Sequence, residues 1–424
     1  MNLKIMPVFF KTENQEAKAV VESIKDLIPD HAELMNETFV NTWEDLQDLQ
    51  EKAARADIFL ELSENIRLVP IRLFLGLGDL GLPIVLFGGE FSPGARRFEA
   101  MGYWRAMGKK AFLPLTQREL SEGLALMATK QRIEHTQALL LGSPFRSPYV
   151  VTSLPDYRVA LRTLGVLIHS CDATGFSDTY KTVEEARVSR LATEWVKAAG
   201  RVIEPADTDV QKSARFYLAI KDLLEEHGAG ALAVNCIPFV EEIQGTPCMA
   251  LAKLNDEGIP SACEGDLTAL MTMIFLERLA NRPTFMGNVI YANPTEDVIE
   301  LNHCVLPFRM EGYDEPQKPY VLRDYHGRGF GVTASFDPEI GHDVTVARFD
   351  PSLRELVFTQ GQLLGYGEDF CRHSLRVKIP GVTGFMRQVR GNHHILVYGH
   401  YRERIVDLCA EFGIIPVSAD SSSP

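Results

Sequence analysis

An α/β fold of two doubly wound parallel-sheet domains, followed by a mostly antiparallel β-rich C-terminal domain, is the architecture that this 424-residue sequence predicts. Three observations carry the prediction. Short β-rich runs alternate with longer helical patterns through most of the chain. A stretch of turn formers, Gly142-Ser143-Pro144-Phe145-Arg146-Ser147-Pro148, interrupts that alternation once. After Asn281-Arg282-Pro283 the texture changes to short period-two runs separated by turns. Alternating strands and helices imply parallel pairing with helices on both faces, whereas period-two runs at close spacing imply an antiparallel sheet or barrel. The expected domains are residues 1–145, 146–287 and 288–424.

In the first domain the runs are strand Leu3–Phe10, helix Gln15–Leu27, strands Ile58–Leu62 and Pro83–Phe87, and helix Thr116–Arg132. The second opens with strand Val166–His169, then helices Val183–Ala199 and Thr208–His227 and the strand Ala231–Cys236. Strand Ile259–Cys263 and the strongly apolar helix Leu267–Leu279 close it. The third carries alternating runs at Val298–Leu301, Gly331–Phe336, Asp343–Phe349, Glu355–Gln362 and Ser374–Lys378, then the apolar strand Ile395–Tyr398. Helix Tyr401–Glu411 and strand Ile414–Val417 follow, and Ser421-Ser422-Ser423-Pro424 reads as a disordered tail.

Composition narrows the function classes. Hydrophobic residues at 46% and charged residues at 24% are ordinary globular proportions, which exclude a disordered chain or a coiled-coil rod. No apolar run reaches the ~18 residues that a bilayer span needs. The amino terminus, Met1 to Pro7, reads as an opening strand rather than a signal core. A cytoplasmic protein with no membrane partner is therefore expected. A formal charge of −14 repels a phosphate backbone, so nucleic acid is not an expected partner. The seven cysteines, Cys171, Cys236, Cys248, Cys263, Cys304, Cys371 and Cys409, contain no CxxC pair, so the expectation is reduced thiols, with neither a disulfide framework nor a thiolate zinc site.

Two motifs invite a function and do not carry one. Gly76-Leu77-Gly78-Asp79-Leu80-Gly81 matches the glycine fingerprint of dinucleotide binding. That fingerprint works only between a strand and the helix whose amino terminus receives the pyrophosphate, and here a helix end precedes the glycines and a strand follows. Gly88-Gly89-Glu90-Phe91 is similar to the signature loop of diguanylate cyclases but is one residue shorter, and it reads as a βα turn at the carboxyl edge of a sheet.

The informative segment is Ala262-Cys263-Glu264-Gly265-Asp266-Leu267. Glu264 lies where a strand hands over to a helix, so the positive end of the helix favours the charged carboxylate that a metal requires. A helix cap explains the same residue types equally well. Phe285-Met286-Gly287-Asn288-Val289, read as a turn after the helix, Leu301-Asn302-His303-Cys304, and Arg390-Gly391-Asn392-His393-His394 complete the set.

From about Val183 onward these residues resemble the L-fucose isomerase and L-arabinose isomerase superfamily of metal-dependent aldose-ketose isomerases, and the length is that of its shorter branch. The first 145 residues match only in architecture. The resemblance implies a divalent cation, most often Mn2+ with Co2+ or Zn2+ also compatible, held by Glu264, His303 and one of the pair His393 and His394, with His393 favoured. It places Asn288 where the fucose-type enzymes carry an aspartate ligand. An amide oxygen can ligate but carries no proton, so one acid/base partner is missing and its role falls to Asp266 or water.

The resemblance further implies a homo-oligomer, a trimer or hexamer, acting on a small sugar through a cis-enediol, with Glu264 as base and ligand together. The alternative is a sugar epimerase or a catalytically impaired sugar-binding homologue, motivated by Asn288. A bilobed solute-binding module is a third reading, from the two successive α/β domains alone.

Overall fold

The computed structural model describes residues 2–64, 66–91, 94–142, 150–367 and 371–420. It divides into two compact units, Met1–Arg132 and Ile133–Pro424. Residues 143–148 of the expected junction and the tail 421–424 lie outside the described residues.

The first unit is built on β1 (Leu3–Phe9), β2 (Ala32–Leu34), β3 (Thr38–Phe39), β4 (Ile58–Glu61), β5 (Ile84–Leu86) and β6 (Ala111–Phe112). The strand order is β2-β1-β4-β5-β6, with β3 also on β1, and every pairing is parallel. Successive residues of β1 enter different cores. Met6 and Val8, with the following Phe10, join Phe59, Phe74 and Trp104, whereas Leu3, Ile5 and Phe9 join Leu60, Leu120 and Leu124. Burial on both faces explains why these strands are near-continuous apolar runs. The glycine-rich motif is a helix end: Ile71–Gly76 runs into the tight turn Leu77–Leu80, and Gly81 closes it at φ +86° before β5.

The second unit contains β7 (Gln137–Leu141), β8 (Leu167–Cys171), β9 (Arg201–Val202), β10 (Ala231–Val234) and β11 (Ser261–Ala262). Among the described residues, β11-β10-β7-β8 is a second parallel sheet. Its strand β7 lies ahead of the turn-rich stretch at 142–148.

The rest is an antiparallel barrel. The strands of this part of the chain are β12 (Phe285–Asn293), β13 (Val298–His303), β14 (Val321–Arg323), β15 (Thr333–Ser335), β16 (Asp343–Phe349), β17 (Glu355–Gly367), β18 (His373–Lys378), β19 (His393–Tyr398) and β20 (Ile415–Ser418), and all but β14 and β15 belong to the barrel sheet. The order β16-β19-β12-β13-β18-β17 closes on itself because β17 returns to β16, and β20 adds to β17 in parallel. Strands β15, β14 and β9 form a small separate sheet.

One sequence expectation is corrected here. Phe285-Met286-Gly287-Asn288-Val289 is not a turn but the start of β12, paired with β13 and β19. Gly287 serves close packing rather than a bend, since a Cβ there would stand 2.9 Å from the Leu301 Cβ.

The helix Leu267–Ala280 links the two layers. It packs on β10 and β11 at one side and on β12, β16 and β19 at the other. A helix enclosed in this way must be apolar around its whole circumference, and all but two of its residues are buried. Among the described residues, no helix is long and apolar enough to cross a membrane.

Candidate metal centre

The chain leaves β11 at Ala262 and enters the helix at Leu267, so the connection has only four residues. Glu264 and Gly265 both adopt left-handed backbone, at φ +57° and +67°. A non-glycine residue held there costs on the order of 1–3 kcal/mol, and such strain concentrates at ligand sites. The turn is fixed from outside. Gly265 N donates to the Val234 carbonyl at 2.9 Å, and Ser153 Oγ donates to the Gly265 carbonyl at 3.3 Å while accepting from Leu267 N at 3.0 Å. The Glu264 side chain is thereby set at the carboxyl edge of the second sheet, where open α/β sheets bind ligands.

Two imidazoles from the barrel meet it there. His303 ends β13 and His393 begins β19. His303 Nε2 lies 3.8 Å from Glu264 Oε1, and His393 Nε2 lies 3.6 Å from Glu264 Oε2. These separations are too long for hydrogen bonds. They match donor atoms sharing one ion, which at ~2.0–2.2 Å from each ligand sit roughly 3–4 Å apart. Among the described residues both nitrogens of His303 and Nε2 of His393 are buried with no hydrogen-bond partner, so the donors are left over by the protein's own bonding. Burial pulls His303 well below the ordinary imidazole range, which keeps it neutral, as ligation requires. Burial also pushes the Glu264 carboxyl upward, against the pull of His393. A cation between them would reverse that push. By donor chemistry, burial and orphaned nitrogens, these residues fit a divalent cation.

Asp266 takes a different place from Glu264. It is fully buried; Oδ1 accepts from Ala269 N at 2.9 Å and so caps the helix. Oδ2 accepts from Arg348 Nη1 at 3.0 Å and pairs with His393 Nδ1 at 3.0 Å. Burial opposes its ionisation, but Arg348 and His393 prevail and hold it down at about 2. A permanently ionised Asp266 fixes the His393 proton on Nδ1 and leaves the Nε2 lone pair for a ligand, the usual arrangement behind a metal-bound histidine. Arg348, on β16, is itself buried and also donates to the His393 carbonyl at 2.7 Å and to Thr152 Oγ1 at 3.0 Å.

Asn288 and His394 each have partners of their own. Asn288 pairs in register with His393 on one side and Asn302 on the other. Its amide oxygen accepts from Asn392, and its Nδ2 donates to the Asn302 carbonyl at 3.4 Å. His394 turns away from Glu264, with Nδ1 against the Asn392 carbonyl at 3.1 Å and its ring 5.1 Å from Phe385. Burial pulls it down to about 3.

Two further groups of potential donors occur among the described residues: Cys304, His326 and Cys371, and the more exposed Glu311, Glu339 and His342. Sequence spacing flagged neither, and it also missed Arg348, whose partners come from distant segments.

No family model matches the sequence. Curated proteins do. The chain is 27% identical over 261 residues to a sulfoquinovose isomerase of Clostridium sp. (strain MSTE9), covering 58% of this chain and 57% of that protein. It is 24% identical over 256 residues to the sulfoquinovose isomerase of Priestia aryabhattai, covering 58% and 56%. A shorter stretch of 100 residues is 33% identical to a sulfoquinovose isomerase of Alkalicoccus urumqiensis, covering 23% of each. The matched stretch spans just over half the length of the first two relatives.

Proposed function

We propose that this protein is an aldose-ketose sugar isomerase that depends on a divalent cation, most often Mn2+, held by Glu264, His303 and His393. One observation carries the reading. A carboxylate on a strained βα turn and two imidazoles from separate barrel strands converge, with their ligand atoms all within 4.8 Å of one another. Relatives that carry the name sulfoquinovose isomerase support the reaction class.

Moving a carbonyl from C1 to C2 of a sugar takes the proton from C2, returns it at C1, and shifts the hydroxyl proton from O2 to O1. When bound, the cation would supply positive charge to offset the negative charge that builds up on the substrate oxygens in the enediol. The rest falls to the chain. Glu264 has two oxygens and a carboxyl raised by burial, which suits one oxygen to holding the ion and the other to accepting the C2 proton. Asp266 acts through His393, by orienting it, and Arg348 keeps Asp266 ionised. Cys263 and Leu267, at the two ends of the turn that carries Glu264, are buried and apolar, and His303 and His393 are themselves buried, so charge at the site is felt strongly.

The test is an aldose panel headed by sulfoquinovose, in D2O, with protein stripped of metal and reloaded with Mn2+. Ketose formation with deuterium incorporation at C1 or C2 supports the proposal. Tight Mn2+ binding with neither product from any aldose refutes it. A second reading, a sugar epimerase or an impaired sugar-binding homologue, is favoured by Asn288, an amide where the resemblance calls for a carboxylate. Deuterium at C2 with inversion and no ketose selects the epimerase.

A further inference from the structure

A second set of soft donors lies next to the first site and belongs to none of its chemistry. Cys304 follows His303 directly at the end of β13, Cys371 stands two residues before β18, and His326 lies in the loop after β14. His326 Nε2 is 2.9 Å from Cys304 Sγ and 3.3 Å from Cys371 Sγ, and the three ligand atoms all lie within 4.8 Å of one another. A third thiol, Cys248, is the first residue of the helix Cys248–Asp256 and lies against Cys304. All seven cysteines of the chain are free.

The surrounding backbone holds these donors in place. Register sets His303 opposite His373 across β13 and β18, which brings the flanking Cys304 and Cys371 to one end of the pair. Asn302 fastens that end: its Nδ2 donates to the Cys371 and His373 carbonyls at 3.3 and 3.0 Å, and its Oδ1 accepts from Cys371 N at 3.3 Å. Thr333 Oγ1 donates to the Cys304 carbonyl at 2.7 Å. The loop bearing His326 is wound around Asp324, whose carboxylate accepts from Gly327 N and Gly329 N at 3.0 and 2.7 Å, and Arg372 Nε donates to the Asp324 carbonyl at 3.1 Å. His326 is left in the left-handed region at φ +55°. A histidine is held in that strained conformation only where the surroundings impose it.

We propose that Cys304, Cys371 and His326 form a second, thiolate-rich metal site that binds zinc and is separate from the Glu264 centre, with Cys248, which lies against Cys304, closing in as the fourth ligand. Three sulfurs and one imidazole are a standard tetrahedral zinc set, and the four positions leave no place for a substrate, so the site is structural. Sulfur and imidazole donors around zinc sit roughly 3.5 Å apart. The present contacts of 2.9 and 3.3 Å need to open by roughly half an ångström or less to approach that spacing. The two sites divide metals by softness, thiolates selecting zinc and the mixed carboxylate-imidazole set accepting manganese. The alternative, thiols that merely hydrogen-bond an imidazole, does not account for two cysteines from separate segments on one ring nitrogen with a third thiol beside them.

Cobalt distinguishes the sites, because only thiolate ligands give sulfur-to-cobalt charge-transfer absorption. Full-length protein purified anaerobically with reductant and loaded with Co2+ is expected to show that absorption, and zinc-loaded protein is expected to show sulfur neighbours at ~2.3 Å in X-ray absorption. The Glu264→Gln variant should keep both signals, and the Cys304→Ser/Cys371→Ser variant should lose both. If that double variant fails to fold, the wild-type spectra decide alone. Coordination by nitrogen and oxygen only, a charge-transfer band that survives the double variant, or a Cys304–Cys371 disulfide in the freshly purified protein would each overturn the proposal. The signals do not depend on turnover, so failure of the isomerase reading leaves this test intact.

Discussion

Replacing Asp266 by asparagine removes one charge and almost no volume, and it tests how the centre is oriented. Asp266 and Arg348 are both fully buried and 3.0 Å apart. Neutralising one member leaves a buried guanidinium without its counter-charge, a loss of about 3–5 kcal/mol. At roughly 2 °C per kcal/mol for a unit of this size, melting should fall by roughly 6–10 °C. The second effect is on the metal. The introduced side chain can offer His393 Nδ1 an amide N–H in place of a carboxylate, which moves the imidazole proton to Nε2 and blocks the lone pair aimed at Glu264. Losing such an orienting partner weakens metal binding by roughly 10–100-fold. Calorimetric titration of metal-stripped protein with Mn2+, run beside a thermal scan, reads both. Wild-type Mn2+ affinity in a variant that is clearly destabilised would refute the orienting role, and unchanged melting would refute the buried ion pair.

Three further outcomes follow from the same geometry. Glu264→Gln should weaken Mn2+ binding by more than roughly 100-fold, beyond the loss of an orienting partner. The metal-free Glu264→Gln protein should melt no lower than wild type, because the group that burial penalises is gone; a drop of several degrees would contradict this. Asn288→Asp should lower the rate of sugar turnover, since it loses the amide donor to the Asn302 carbonyl; a large gain would favour the impaired-homologue reading. Metal-free stability should fall with acidification. His373 and His394 are pulled by burial to about 3, so between that value and the ordinary ~6.5 the unfolded chain binds protons that the folded chain does not. Each contributes a slope of up to ~1.4 kcal/mol per pH unit, favouring the folded state as pH rises, and urea midpoints that stay level from pH 6.5 to 4.5 would contradict it.

Much of the architecture was legible because its signals are local. The run of β1 and the period-two strand Asp343–Phe349 declare themselves by apolar spacing, and the helix Leu267–Ala280 by being apolar all round. The misses have physical causes. In β12, Gly287 and Asn288 are turn formers by propensity, but Gly287 was required by the nearby Leu301 rather than by backbone freedom. Strand β7 is not assigned from the sequence; only two residues separate it from the end of the helix Gln117–Glu134, with no turn former to mark the boundary. At the site, Glu264, His303 and His393 were within reach because adjacent residues resemble known motifs. The role of Asp266 was hidden, since neither the buried Arg348 nor the Nδ1 contact leaves a trace in its neighbourhood. Cysteine spacing also could not show the grouping of Cys304, Cys371 and His326: strand register brings the two thiols together, and the loop after β14 adds the imidazole.

The strand end at Asn302-His303-Cys304 shows how register can supply two sites at once. His303 completes the donor group with Glu264, while its neighbour Cys304 meets His326 and Cys371. Asn302, clamped to Cys371 and His373, allows neither residue to shift without the other. His393 is anchored separately, through Arg348 and Asp266, to the helix that begins just past Glu264. The donors of the first site thus come from the parallel sheet and from two barrel strands, each fixed by bonds that do not involve an ion. Such a site is organised before it is loaded, so the binding energy of a cation is not spent on ordering its ligands. Glu264 alone stands on a strained turn and is half-buried. It is the donor that solvent reaches, and a group that is to hold an ion and exchange a proton with a sugar needs that access.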